Sequence, residues 1–159
     1  MKINNDLKII GKGRTRKVYE LSKTKILKQL TYDPDKLGID DVNRIEYNLY
    51  INNKDRYIFL ARCYSYNANT RELIMEKLDC DYIKNLVKKY PIIRSKYNNN
   101  LLEYLYKEKT SLFYGLMDFD IKDVENFCKE NNLMSEEITD CHQWGIDAMD
   151  HIRLVDYNR

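Results

Sequence analysis

The sequence predicts an α+β protein, with a five-stranded antiparallel sheet and one helix in its first half and an abbreviated, mostly helical second half. Three observations predict this. Short apolar runs suited to strands alternate with turn residues as far as Glu76. Among them, Asp40 to Ile51 repeats apolar residues at Val42, Ile45 and Leu49, the spacing of a helix that buries one stripe. After Lys77 the strand-like runs give way to segments with helical periodicity.

Taken in order, Leu7 to Ile10, Lys17 to Leu21 and Lys25 to Leu30 read as three antiparallel strands, joined by a glycine loop and by a turn at Ser22 to Thr24. A loop around Pro34 and Gly38 leads to the helix, which Asp40 and Asp41 are placed to cap. Glu46 lies four residues after Val42 and one after Ile45, so it borders the buried face. A carboxylate held there is costly without a cation, and Lys28 is the natural partner. Tyr57 to Tyr66 and Glu72 to Glu76 complete the sheet, with Asn67-Ala68-Asn69-Thr70 as the turn between them. The polar stretch Lys77 to Asp81 marks a boundary that divides the chain into 1–78 and 79–159. Beyond it, Tyr82 to Tyr90 carries Ile83, Leu86, Val87 and Tyr90 on one face and is stopped by Pro91. Leu101 to Phe113 reads as a second helix, with Leu101, Leu102, Leu105, Tyr106 and Leu112 available for packing. Ile121 to Glu130 is a third, carrying Ile121, Val124, Phe127 and Cys128 and ending near Asn131-Asn132.

A chain of 159 residues has room for one compact unit with a real core, and a two-lobed unit with a short second lobe fits that length. The 27 basic and 25 acidic residues nearly cancel, so no global field draws it to nucleic acid, and no specific nucleic-acid partner is expected. Cys63, Cys80, Cys128 and Cys141 are widely spaced and form no C-x-x-C pair, which argues against structural zinc. With no signal peptide and no long apolar run, the expectation is a cytoplasmic protein with free thiols and no membrane contact. His142 and His151 are the only histidines, so a histidine-based metal site lacks ligands and each reads as a structural or surface residue.

The stretch Gly11-Lys12-Gly13-Arg14-Thr15-Arg16-Lys17-Val18 carries the chemistry. A glycine pair between two apolar runs lets a backbone turn approach an anion closely, and Lys28, ten residues after Val18, is able to meet that anion from the neighbouring strand. The basic cluster Lys12, Arg14, Arg16 and Lys17 then faces phosphate. The competing reading is a solvated hairpin tip.

In order and spacing, these pieces resemble the protein-kinase-like fold, in the form found in small bacterial and phage kinases and in aminoglycoside or choline phosphotransferases. The resemblance implies that Gly11 and Gly13 match the first two glycines of the phosphate loop and that Val18 covers the adenine. It implies that Lys28 meets the phosphates, with Glu46 as its helical partner, and that Met75 is the gatekeeper and Glu76 the first hinge residue. Asp140, in Asp140-Cys141-His142-Gln143, resembles the catalytic aspartate of an Asp-x-His loop, and Asp156 resembles the metal-binding aspartate, with Gln143 in place of the metal-binding asparagine. ATP and magnesium are the implied cofactors.

This sequence departs from the family pattern in three places. Arg16 stands where the third loop glycine belongs, only two residues separate Asp140 from Gln143, and Tyr157-Asn158-Arg159 follows Asp156 where the motif calls for a glycine. The expectation is therefore a kinase-like nucleotide-binding protein with weak or no phosphotransferase activity, consistent with a phage or mobile element as its source. The alternative is a catalytically dead pseudokinase that binds and regulates, or inhibits, a protein of a host system. In either case the helices between Leu101 and Cys128, with Tyr104, Tyr106, Tyr114 and Trp144, are expected to supply a surface for a protein partner or a second copy.

Overall fold

The structure, a computed structural model, describes residues 6–108 and 111–156. The chain forms two compact units. The first takes the chain through Lys54 together with Arg62–Lys77, and the second takes Asp55–Ala61 and the chain from Leu78 onward.

The first unit is built on strands β1 (Ile9–Lys12), β2 (Arg16–Glu20), β3 (Lys25–Leu30), β4 (Cys63–Asn67) and β5 (Glu72–Glu76). They form one antiparallel sheet in the order β1-β2-β3-β5-β4. The register sets Gly11 opposite Val18, Val18 opposite Lys28, and Lys28 opposite Leu73. Ile26, Leu27, Leu73 and Met75 supply the buried apolar side chains of the central strands. The short helix α1 (Pro34–Leu37) has proline at its first position and is closed by Gly38 at φ 62°, a left-handed conformation that glycine adopts without strain.

Helix α2 (Val42–Asn53) follows, and its N-terminus is capped by Asp41, whose carboxylate accepts from the backbone N–H of Asn43 (2.9 Å) and Arg44 (3.0 Å). Its buried face is not the one the apolar spacing predicts. Val42, Ile45 and Leu49 are half-buried, whereas Asn43, Glu46 and Asn53 are buried. Polar groups in that position need partners, and they have them. The Asn43 amide donates to the carbonyls of Lys28 (3.0 Å) and Arg71 (2.8 Å), and the Asn53 amide donates to that of Leu49 (2.8 Å).

The second unit contains α3 (Cys80–Lys89), α4 (Ile92–Ser95), α5 (Leu101–Glu108), α6 (Ser111–Leu116), α7 (Ile121–Glu130) and α8 (Ser135–Ile138). A 3-10 turn at Cys141–Gln143 then leads into the hairpin β6 (Trp144–Ile146) and β7 (Ile152–Leu154). Asp79 and Asp120 cap α3 and α7 through the N–H groups of Tyr82 and Lys122. Phe59 is fully buried, with the rings of Tyr57, Phe119, Phe127 and Trp144 around it at centroid distances of 5.2 to 6.1 Å. Both outer edges of the hairpin are paired. The Leu154 N–H donates to the Phe59 carbonyl (2.7 Å), and Asp79 exchanges two backbone hydrogen bonds with Ile146 (2.9 and 3.0 Å).

Several sequence expectations need correction. The strand expected over Tyr57 to Tyr66 begins only at Cys63, because Tyr57 to Ala61 serves the core of the second unit and Phe59 and Ala61 bond to Leu154. The two units divide between Lys77 and Leu78, one residue from the boundary read in the sequence. The helix expected over Leu101 to Phe113 is described as two segments, α5 and α6, with residues 109–110 outside the described ones. Leu101, Leu102, Leu105, Phe127 and Cys128 are buried, as their helical stripes predict. Of the aromatics expected at a partner surface, Tyr104 and Trp144 are buried instead, and the Trp144 indole N–H donates to the Ile138 carbonyl (2.9 Å). Tyr106 and Tyr114 remain exposed.

Candidate functional site

In the first unit, neighbouring strands and one helix bring together the residues that the sequence singled out. Lys28 lies mid-strand in β3 with its side chain buried, and its ammonium donates to Glu46 Oε1 at 2.8 Å. Glu46 has no exposed surface. It is matched by two cations, since the Arg16 guanidinium, itself buried on β2, bonds to Oε2 of the same carboxylate. Arg16 also reaches Asn43 Oδ1 at 3.4 Å. A buried carboxylate is tolerated when its oxygens are paired and hydrogen-bonded, and this arrangement meets that condition.

Arg16 was read from sequence as part of a phosphate-facing cluster with Lys12, Arg14 and Lys17. It leaves that cluster, folding inward while Lys12 and Arg14 stay exposed and Lys17 is half-buried. Sequence reasoning missed this because a basic run at a loop looks alike whether one member turns in or none does. The alternation along β2 was the available signal, since Arg16 and Val18 share a face and Val18 pairs with Lys28.

Gly11 and Gly13 border this group. Gly11 pairs with Val18, and the Gly13 N–H donates to the Arg16 carbonyl (2.8 Å), closing the turn. Neither glycine has a left-handed φ. A Cβ on Gly11 would meet Val18 at 3.5 Å and one on Gly13 would meet the Arg16 carbonyl at 3.8 Å, both ordinary contacts. The fold's own conformation therefore does not require glycine at either position. At the other end of the sheet, Met75 is fully buried opposite Ile26, and Glu76 ends β5 with its carboxylate accepting from the Arg62 N–H (3.1 Å).

In the second unit, backbone bonds link the turn that carries Asp140 and Gln143 to the chain just before Asp156. The Asp140 carboxylate caps the turn by accepting from the His142 N–H (2.9 Å), and it also meets the His142 Nδ1 at 2.6 Å. The Gln143 N–H donates to the Asp140 carbonyl (3.0 Å), and the Val155 N–H donates to the Gln143 carbonyl (2.7 Å). Asp156 is thus one residue from a backbone contact with the turn. Gln143 is buried and Asp156 half-buried. Magnesium takes oxygen donors, commonly one or two carboxylates completed by phosphate oxygens and water, and Asp156 and Gln143 each carry a donor of that type.

His142 has neighbours of metal-ligand type, one carboxylate and one thiol. Ligand atoms of Asp140, Cys141 and His142 lie within 4.8 Å of one another. Burial pushes the Cys141 thiol up to about 11, with the Asp140 charge adding to the effect, so the sulfur stays protonated at neutral pH.

An ion cluster unsuspected from sequence braces the hairpin that carries Asp156. The buried Arg153 forks onto Asp118 at 2.7 and 2.8 Å, and its Nε lies 3.1 Å from Asp147. Asp147 also accepts from the N–H groups of Met149 (2.8 Å) and His151 (3.0 Å), which fixes the turn. Burial tends to raise the Asp118 carboxyl, but the Arg153 hydrogen bonds and charge, assisted by His151, outweigh it and hold the group below its ordinary range.

No family model matches the chain, and no curated protein matches its sequence. Among the described residues no helix is long and apolar enough to cross a membrane.

Proposed function

We propose that this chain is a kinase-like protein that binds ATP with magnesium and transfers phosphate weakly or not at all. The observation that carries the reading is the buried Lys28–Glu46 pair, a strand lysine held at 2.8 Å by a helical carboxylate. In the kinase-like arrangement that pair orients a lysine toward nucleotide phosphates. Gly11 and Gly13 support it, because glycines that the backbone does not itself require are explained by a ligand approaching the main chain. In this reading Val18 covers the base, Met75 is the gatekeeper, Glu76 begins the hinge, Asp156 with Gln143 holds the metal, and Asp140 receives the proton of an acceptor hydroxyl.

Two observations favour the second reading, a pseudokinase that regulates another protein. Arg16 occupies the place of the third loop glycine and commits its charge to Glu46, and the Asp140 carboxylate is engaged by His142. Incubation with terminally labelled ATP and magnesium decides between them. Labelled phosphate on the protein or on a hydroxyl acceptor, lost in Asp140→Asn, supports the enzyme. Nucleotide binding that disappears with magnesium removal or Asp156→Asn, with no transfer, supports a nucleotide binder without catalysis. Absence of nucleotide binding in any condition rejects the first reading and leaves the regulator that binds protein.

A further inference from the structure

The second unit contains a cavity of about 670 Å³ that the nucleotide reading does not use. Its size falls in the range of sites that enclose small organic ligands. The apolar part of its wall comes from Ile83 and Val87 on α3, from Pro91, and from the buried Trp144. The Cys141 thiol also lines it. The polar groups on the wall are cationic or basic. They are Lys84, Lys88 and Arg94, with the His142 ring beside them.

Charge on that wall is only partly compensated. Lys84 lies 3.6 Å from Asp81, and His142 is occupied with Asp140. Among the described residues Lys88 and Arg94 pair with no carboxylate, and no acid lines the cavity. An apolar chamber with an unpaired guanidinium and ammonium at its wall is complementary to a molecule with an apolar body and an anionic head. Hydrogen bonds from these two groups would be charge-assisted, and a guanidinium suits a carboxylate or phosphate head through two parallel bonds.

We infer that this cavity is a binding site for a small anionic amphiphile, an aryl or alkyl carboxylate or phosphate, whose body lies against Ile83, Val87 and Trp144 and whose head meets Arg94 and Lys88. The site goes beyond the nucleotide reading and uses none of its residues.

The protein carries its own reporter, because Trp144 is its only tryptophan and lines the cavity. Phenylbutyrate and phenylbutylammonium share a body and differ in the sign of the head. Each is titrated against full-length protein, with Trp144 emission excited where tyrosine does not absorb and with calorimetry in parallel. The expected result is saturable binding of phenylbutyrate, at least about tenfold tighter than the ammonium compound. Arg94→Glu and Lys88→Glu, both at exposed positions, should each weaken phenylbutyrate and narrow that preference. Val87→Phe, which fills the chamber, should weaken both compounds. Lys28→Met should leave phenylbutyrate binding unchanged, so failure of the nucleotide reading does not affect this result. Equal affinity for the two compounds, no saturable response to phenylbutyrate at millimolar concentration, or binding insensitive to Arg94→Glu would overturn the assignment.

Discussion

Replacing Glu46 with alanine should destabilise the first unit far more than replacing Lys28 with methionine. Glu46 is completely buried and accepts Lys28 on one oxygen and Arg16 on the other. Its removal takes from two buried cations the carboxylate that both of them contact. Breaking a buried pair from one side costs about 3 to 5 kcal/mol, and two unit charges at 4 Å repel by about 4 kcal/mol at an effective dielectric of about 20. Lys28→Met leaves Glu46 still bonded to Arg16. It forfeits the charge-assisted hydrogen bond to Glu46, about 1.5 to 3 kcal/mol, and recovers part of that because a buried ammonium no longer needs to be desolvated. Urea unfolding measures the difference. Far-UV circular dichroism follows the whole chain, and Trp144 emission reports the second unit, so a change confined to the first unit is separable. With a slope of about 1 to 3 kcal/mol/M, the Glu46→Ala midpoint should fall by more than about 1 M. A loss under about 1 kcal/mol in Glu46→Ala, or equal losses in the two variants, would refute the shared-carboxylate account.

Two further predictions concern the second unit. A Cβ on Gly145 would stand 2.7 Å from Leu78 Cβ and 3.2 Å from Cys80 Sγ, so Gly145→Ala should cost about 1 to 3 kcal/mol by overpacking, read from the Trp144 urea transition; an unchanged midpoint would contradict this packing. The Asp118 carboxyl is held below its ordinary value of 3.8 in the folded state, so its contribution to stability is present above that value and is lost as pH falls through the lower folded value. Asp118→Asn should therefore be less stable than wild type at neutral pH, and the difference should shrink on acidification below 3.8; a pH-independent difference would show that the Arg153 charge is not involved.

The strands β3 and β5 and helix α7 were legible to the residue, because each is a run whose period and flanking turns agree. The Lys28–Glu46 pairing was also legible, from one buried-face carboxylate and one lysine within an apolar strand. What was not legible depends on tertiary context. Tyr57 to Ala61 has strand composition, yet its aromatic rings fill the core of the second unit, and local pattern does not say which core an apolar run joins. The inward turn of Arg16 is of the same kind, because the pull comes from Glu46, thirty residues away in sequence. The polar face of α2 misled the periodicity argument, since Asn43 and Asn53 are buried by satisfying backbone carbonyls rather than by being apolar. The Arg153 cluster was invisible because Asp118 and Arg153 meet only once the hairpin has formed.

The central claim is that Lys28, held by Glu46, is set to meet nucleotide phosphate. Its most direct test is the unfolding free energy of wild type and Lys28→Met with and without ATP and magnesium, each variant compared with its own unliganded state. A ligand at about one hundred times its dissociation constant adds about 2.7 kcal/mol. The account predicts a gain of that order in wild type, rising with ATP concentration, and little or none in Lys28→Met. No ATP-dependent gain in wild type, or the same gain in both proteins, would contradict it.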